Sequence, residues 1–146
     1  MKAITNIVVP VDLEEHTEKL VEYAAYMAEK LSADLTLVHV IEPFRAIGDM
    51  ELGTATVEKY NQNRVDHAKE FLEKLVSTYP SCKSAKVISG DIVDEIVAFA
   101  QGQETALIII GTHGSKGIEK LLLGSVAERV VKRAHCPTLV MNPFKQ

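Results

Sequence analysis

Four small residues near the end of the chain have the types and spacing of an anion-binding loop. Gly111 and Gly114 are followed after nine residues by Gly124 and Ser125, and Ser125 begins a segment with helical periodicity. Glycine allows the backbone to approach a ligand closely, and the first N–H groups of a helix lack intrahelical partners and carry about half a positive charge. The amides of Gly124, Ser125 and Val126 could therefore hold phosphate oxygens.

The same residues also fit a purely structural interpretation. Glycines after a strand are common in turns, and Ser125 with Glu128 three residues later fits a capping box that serves the helix itself. The carboxylate of Glu128 would also lie near a bound phosphate, although Lys116 and Lys120 could offset its charge. The spacing alone does not choose between an anion site and a capped helix.

Two common nucleotide motifs are absent. A Walker loop requires a lysine directly after its last glycine, whereas Gly124 is followed by Ser125 and Val126. The first apolar run ends in Pro10-Val11-Asp12-Leu13 and lacks the glycines of a dinucleotide fingerprint. A P-loop NTPase and an ordinary NAD dehydrogenase are therefore disfavoured.

Composition predicts one globular domain over residues 1–146. The chain is 47% hydrophobic and 25% charged, with a net charge of -4, so sequence-independent binding to nucleic acid is not expected. Its longest strongly apolar run, Ala106 to Ile110, is far shorter than the roughly 20 residues of a membrane helix, and no signal peptide is visible. We expect a cytoplasmic protein that does not bind membranes.

Short apolar runs alternate with segments of helical periodicity, a pattern typical of a parallel sheet with helices on both faces. The most apolar runs, the first and fourth, should be central neighbours, which predicts a Rossmann-like open α/β sheet of five strands in the order 3-2-1-4-5. Ligands bind such sheets beyond the carboxyl ends of the strands where the order reverses, and Asp12 and Gly111 end the two strands concerned. The predicted strands are Ile4–Val11, Leu35–Ile41, Lys83–Ser89 at an edge, Ala106–Ile110 and Thr138–Met141; the helices are Glu14–Leu31, Val57 to before Pro80, a segment capped by Asp91 and stopped by Gly102, and Ser125–Ala134.

The glycine pattern and the strand ending together resemble a known family. Gly111-x-x-Gly114, nine residues and Gly124-Ser125 look like the nucleotide-binding signature of the universal stress protein family, and Pro10-Val11-Asp12 resembles the end of its first strand. The similarity covers nearly the whole chain, and it continues through Leu37-Val38-His39-Val40-Ile41-Glu42-Pro43, Ser89-Gly90-Asp91 and Cys136-Pro137-Thr138-Leu139-Val140.

The resemblance implies a five-stranded parallel α/β domain, usually a homodimer, that binds ATP with Mg²⁺. It assigns the ribose and metal side of the site to Asp12 and its neighbours, and it makes Asp12 the metal contact. It places Pro10 and Val11 beside Asp12, and it places Val40 and Gly90 next to the adenine. It assigns Gly111 and Gly114 to the shape of the loop, and the contacts with the phosphates to Gly124, Ser125 and Val126.

Asp12 also has a structural alternative, which is to cap the first helix. We favour ligand contact, by a hydrogen bond to ribose or by holding Mg²⁺ through water, because the strand-order argument and the resemblance reach the same residue independently.

No residue is predicted to be catalytic. His113 could act near a terminal phosphate, but a role in stabilising the turn is favoured, and His39 is expected to be a hydrogen-bonded core histidine. No GxSxG nucleophile motif is present, and without an evident base or arginine finger we expect a binder with at most slow ATP hydrolysis.

We predict a nucleotide-responsive regulator in stress that forms a homodimer through its terminal edge strand and acts on an unknown protein partner. The alternative is a dimeric interaction or chaperone-like module that does not use nucleotide.

Overall fold

The strands of the chain pair side by side in one sheet. A computed structural model describes residues 2–45, 53–105, 107–112 and 123–144. The sheet is parallel throughout and has the predicted order β3-β2-β1-β4-β5. Its strands are β1 (Asn6–Pro10), β2 (Asp34–Ile41), β3 (Cys82–Ser89), β4 (Leu107–Gly111) and β5 (Thr138–Met141).

Burial of each strand follows its place in the sheet. The central strands β1 and β4 are continuous apolar runs because helices cover both of their faces, and Val8 and Ile108, which are paired across them, are fully buried. The edge strand β3 instead exposes Lys83 and Lys86, as its polar sequence predicts.

In the part of the chain that the structure describes, four helices cover the sheet in two layers: α1 (Thr17–Leu31), α2 (Thr54–Thr78), α3 (Ile92–Gly102) and α4 (Ser125–Arg133). Because successive strand residues point to opposite faces, Ile7 and Val9 of β1 pack with α1 and α2, whereas Val8 packs with α3 and α4. The core is thus divided by the sheet into two apolar clusters. No helix in the described residues is long and apolar enough to cross a bilayer.

Helix boundaries differ from the prediction where turns intervene. The first helix begins at Thr17 rather than Glu14, because Glu14 begins a turn in which its carbonyl accepts from the amide of Thr17 at 2.9 Å. Gly102 was expected to stop the third helix but is its last residue; the left-handed residue that ends it is Glu104, with a φ of +51°. Asp91 caps this helix as predicted, since its carboxylate accepts from the amide of Asp94 at 3.0 Å.

The strands differ by one or two residues at their ends, and the second helix ends at Thr78, before Pro80, as predicted. Ala106, assigned to the fourth strand, lies outside the described residues.

Candidate functional site at the carboxyl edge of the sheet

The end of β1 is held to β2 by two hydrogen bonds. Pro10 is the last residue of the strand, and the next amide, that of Val11, donates to the carbonyl oxygen of Val38 at 2.9 Å. The Val11 carbonyl oxygen lies 2.7 Å from Nδ1 of His39, and because a carbonyl only accepts, Nδ1 must carry the proton. Both backbone groups of Val11 are therefore anchored just before Asp12.

His39 is the hydrogen-bonded core histidine that the sequence predicts. Burial lowers its pKa, while the bond to Val11 and the charge of Asp12 oppose that shift and the Arg64 guanidinium adds to it. The neutral imidazole is thus the form that suits the folded protein.

Asp12 lies beyond β1 with its carboxylate held on one side. Its Oδ1 accepts from the amide of Glu14 at 3.0 Å, which forms an Asx turn, and from the hydroxyl of Thr17 at 3.1 Å. Leu13, between Asp12 and Glu14, has a positive φ in this turn. Oδ1 of Asp12 therefore supports the start of the first helix, which is the structural alternative considered for this residue. Oδ2 accepts no hydrogen bond from the described residues. One oxygen can thus serve the fold while the other meets a ligand.

The predicted base-side residues follow the neighbouring strands. Val40, near the end of β2, is 8% exposed and belongs to the apolar cluster under α3 and α4. Gly90 follows β3, and its amide donates to the Ile41 carbonyl at 3.0 Å. Its φ is +157°, and a Cβ there would lie 2.7 Å from Oε1 of Glu95, so a side chain at this position would disturb the turn.

The end of β4 is joined directly to the start of α4. Gly111 is the last residue of β4, and the amide of Thr112 donates to the Met141 carbonyl at 2.9 Å. The amide of Gly124 donates to the Thr112 carbonyl at 2.8 Å, and a Cβ on Gly124 would collide with that same oxygen. Glycine is required here by this close approach of two backbone segments. His113, Gly114, Lys116 and Lys120, which fall between them, lie outside the described residues.

The N-terminus of α4 is not a capping box. Gly124 is its N-cap and makes no side-chain cap bond, and Ser125 is the first helical residue. Glu128 pairs instead with Lys132 one turn further on, at 2.7 Å, and this bond lowers the pKa of the Glu128 carboxyl. The structure therefore excludes the capping box, whereas a structural role for the glycine in the turn remains open, and Lys132 offsets the nearby negative charge.

The Gly124 amide, one of three predicted to meet phosphate, is already used by Thr112. The amides of Ser125 and Val126 occupy the first turn of α4, where N–H groups have no intrahelical partner. Of the three amides predicted to meet phosphate, those of Ser125 and Val126 are therefore not engaged as that of Gly124 is, and Gly124 sets their position.

Sequence reasoning did not single out several residues that shape this edge. Thr17 fixes Asp12, and two residues of α2 hold the chain after β2. Asn61 makes both side-chain bonds to the backbone of Phe44, at 2.9 and 3.1 Å, and Arg64 donates to the Glu42 carbonyl at 2.8 Å. Nothing in their spacing signals these contacts, because they depend on how α2 lies against the sheet.

Within the described residues no three His, Cys, Asp or Glu side chains come together as a metal cluster. A single carboxylate suits Mg²⁺, which keeps several waters and is held by one or two carboxylates together with phosphates. Asp12 fits that role and does not fit a closed, all-protein metal site.

A parallel sheet with helices on both faces, with a helix N-terminus set beside the end of its fourth strand, defines a Rossmann-type α/β protein. The chain belongs to the universal stress protein family, whose model matches residues 3–142.

Known proteins resemble this chain over nearly its full length. Universal stress protein MJ0531 of Methanocaldococcus jannaschii is 32% identical, over 97% of this chain and 84% of its own. UspA from Lactobacillus plantarum has the same fold, with a TM-score of 0.81 and 24% identity over 97% of this chain and 99% of its own. A universal stress protein from Archaeoglobus fulgidus, solved in complex with dAMP, has a TM-score of 0.58 and 21% identity over 95% and 98% of the two chains.

Proposed function

We propose that this protein binds ATP with Mg²⁺ at the carboxyl edge of its sheet and acts as a nucleotide-responsive regulator in stress. The observation that carries the proposal is the closure of Gly124 on the Thr112 carbonyl. This closure sets the first turn of α4 at the end of β4, and β4 pairs with β1, which leads into Asp12. This arrangement supports the proposal that the first-turn amides of α4 and the Asp12 carboxylate flank one crevice.

Each part of the nucleotide has a fitting group. The amides of Ser125 and Val126 would bind phosphate oxygens, and Oδ2 of Asp12 would accept from a ribose hydroxyl or a water on Mg²⁺. Bound Mg²⁺ supplies charge neutralisation to the phosphates. Pro10 and Val11 would form the wall beside the ribose, and Val40 and Gly90 would border the adenine. Gly111 and Gly114 would shape the loop. The Archaeoglobus relative, which binds the adenine nucleotide dAMP, supports the choice of base.

We propose at most slow hydrolysis. Fast phosphoryl transfer relies on a group that orients the nucleophile and on a cation at the transition state, each worth orders of magnitude in rate. Asp12 is the carboxylate that we place in the crevice, and one of its oxygens is committed to the fold. Binding, rather than turnover, is the activity that the site supports.

The proposal can be tested by isothermal titration of the purified protein with ATP and Mg²⁺, together with analysis of nucleotide released on denaturation. Asp12→Ala should weaken binding. Asp34→Ala, which changes an exposed carboxylate at the opposite edge of the sheet, is the control and should leave binding unchanged. Wild-type protein that carries no nucleotide and does not bind ATP would refute the proposal.

The edge strand β5 supports a homodimer, which the ATP-binding regulator shares with the second candidate, a dimeric interaction or chaperone-like module that does not use nucleotide. All four of its residues, Thr138–Met141, are only partly buried, and within the described residues β5 pairs with β4 alone. We propose that two copies pair through this strand in the cytoplasm and meet a protein partner there. Light scattering across micromolar concentrations tests the dimer, and a monomer throughout would contradict it. Asp12→Ala separates the candidates, because only the nucleotide-free module predicts that partner binding survives.

A further inference from the structure

Thr17 makes an unusual use of a buried hydroxyl. The residue is 2% exposed, and its Oγ1 donates to Oδ1 of Asp12 at 3.1 Å. A buried hydroxyl needs a partner, and the usual one in a helix is a nearby backbone carbonyl. Here the bond instead reaches back five residues to a carboxylate at the edge of the sheet.

This bond is not a helix cap. The N-cap of α1 is His16, which makes no side-chain cap bond, and Thr17 is the first residue inside the helix. The hydroxyl therefore does not satisfy the helix amides. Asp12 already supports the turn through the Glu14 amide, so the Thr17 bond adds a second restraint on the same oxygen.

The turn beneath the carboxylate is strained and firmly anchored. Leu13 adopts a φ of +65°, a left-handed conformation that is unfavourable for a residue with a side chain, and its side chain packs against the apolar cluster under α1 and α2. On the other side, His39 holds the Val11 carbonyl at 2.7 Å. The backbone on both sides of Asp12 is thus fixed, and the remaining freedom lies in its side chain.

We propose that Thr17 is the positioning residue for the ligand-binding carboxylate: its hydroxyl holds Oδ1 of Asp12 and so keeps Oδ2 available in one orientation for a ribose hydroxyl or a Mg²⁺-bound water. This inference rests on the proposed nucleotide function. Its physical basis is preorganisation, since a side chain already ordered by the fold loses little conformational entropy when the ligand binds. Groups that orient a ligating carboxylate typically affect affinity by tenfold or more.

The test compares a substitution that removes the hydroxyl with one that keeps it. Thr17→Val removes the hydroxyl and keeps the shape, whereas Thr17→Ser keeps the hydroxyl. We expect Thr17→Val to weaken Mg·ATP binding by about tenfold and Thr17→Ser to stay within about twofold of wild type, measured by calorimetry. Thr17→Ala, which places no second methyl group against the carboxylate, provides the same comparison if the valine variant is poorly folded.

A double-mutant cycle shows whether Thr17 acts through Asp12. In an Asp12→Ala background, Thr17→Val should cause no further loss of affinity. An equal loss in both backgrounds, or no loss in either, would overturn the inference, because a residue that merely supports the fold weakens binding whether or not Asp12 is present.

A second readout needs no ligand. Three-bond couplings should show one χ1 rotamer for Asp12 in wild type and Thr17→Ser, and averaging in Thr17→Val. If wild-type protein does not bind ATP but χ1 of Asp12 is averaged in Thr17→Val, the nucleotide proposal is refuted and the positioning role of Thr17 stands. A single rotamer in all three proteins would refute the positioning role alone.

Discussion

Replacing Gly124 by alanine tests the contact on which the site depends. The added Cβ would collide with the Thr112 carbonyl oxygen, which is also the acceptor for the Gly124 amide. To restore ordinary contact, β4 and α4 must separate by on the order of 1 Å. This separation lengthens the 2.8 Å hydrogen bond to about 3.8 Å, beyond the range in which it counts as one.

The expected cost has two parts. Alanine is a poorer N-cap than glycine, by about 1 kcal/mol or less. Loss of the hydrogen bond to the Thr112 carbonyl adds about 1 to 3 kcal/mol. The same shift displaces the Ser125 and Val126 amides, and losing even one charge-assisted bond to phosphate, worth about 1.5 kcal/mol or more, weakens ATP binding at least about tenfold.

Gly53→Ala is the matched control. Gly53 is the N-cap of α2 with φ and ψ of -56° and 145°, close to the -58° and 150° of Gly124, but a Cβ there would meet nothing within 4 Å. Urea unfolding should therefore show a larger loss for Gly124→Ala by about 1 to 3 kcal/mol, and calorimetry should show weakened ATP binding for Gly124→Ala alone. Equal stability and equal affinity of the two variants would refute the reasoning.

Three further predictions concern residues away from this contact. Because burial lowers the pKa of His39, the neutral imidazole stabilises the fold above about pH 6.5, and this contribution is lost as the pH falls below that value. Urea titrations between about pH 5 and 7 should show that the free energy of unfolding depends less on pH in His39→Asn than in wild type, and an unchanged slope would contradict this. Ser32 ends α1 with a φ of +53°, so Ser32→Gly should raise the melting temperature in calorimetry by about 2 to 3 °C, and a decrease would contradict the left-handed geometry. Burial raises the pKa of Cys82 to about 11, so little of this thiol is ionised at pH 8 in the folded protein. Mass spectrometry should therefore show that iodoacetamide at pH 8 labels Cys82 far more slowly in native than in urea-unfolded protein, and equal rates would contradict its burial.

The sequence predicts the sheet order and the five strands because burial leaves a direct mark on composition. A central parallel strand must be apolar on both faces, so β1 and β4 are recognisable without their neighbours. The polar pattern of β3 marks an edge for the same reason. The ends of helices are harder to predict, since residues without a strong turn preference, Leu13 and Glu104, adopt left-handed conformations that only their surroundings stabilise.

The candidate site was only partly predictable. Glycine and aspartate at strand ends signal a ligand edge, and Gly124 indeed occupies a position that no side chain can enter. The choice between a capping box and an open helix end depended on whether Glu128 turns back or pairs with Lys132, and that competition is decided by side-chain geometry. The role of Thr17 depends on a turn that brings it back to Asp12, which no periodicity encodes.

The division of the core by the sheet has a consequence for how occupancy of the crevice would be sensed. Asp12 is tied to α1 on one face, whereas the start of α4 packs on the other. A ligand that contacts both Asp12 and the start of α4 would link the two helix layers across the sheet edge and would oppose sliding of one layer against the other. Amide exchange should then be slower in helices on both faces of the sheet when the ligand is bound. A protein partner could thus distinguish the ligand-bound form at a surface far from the ligand.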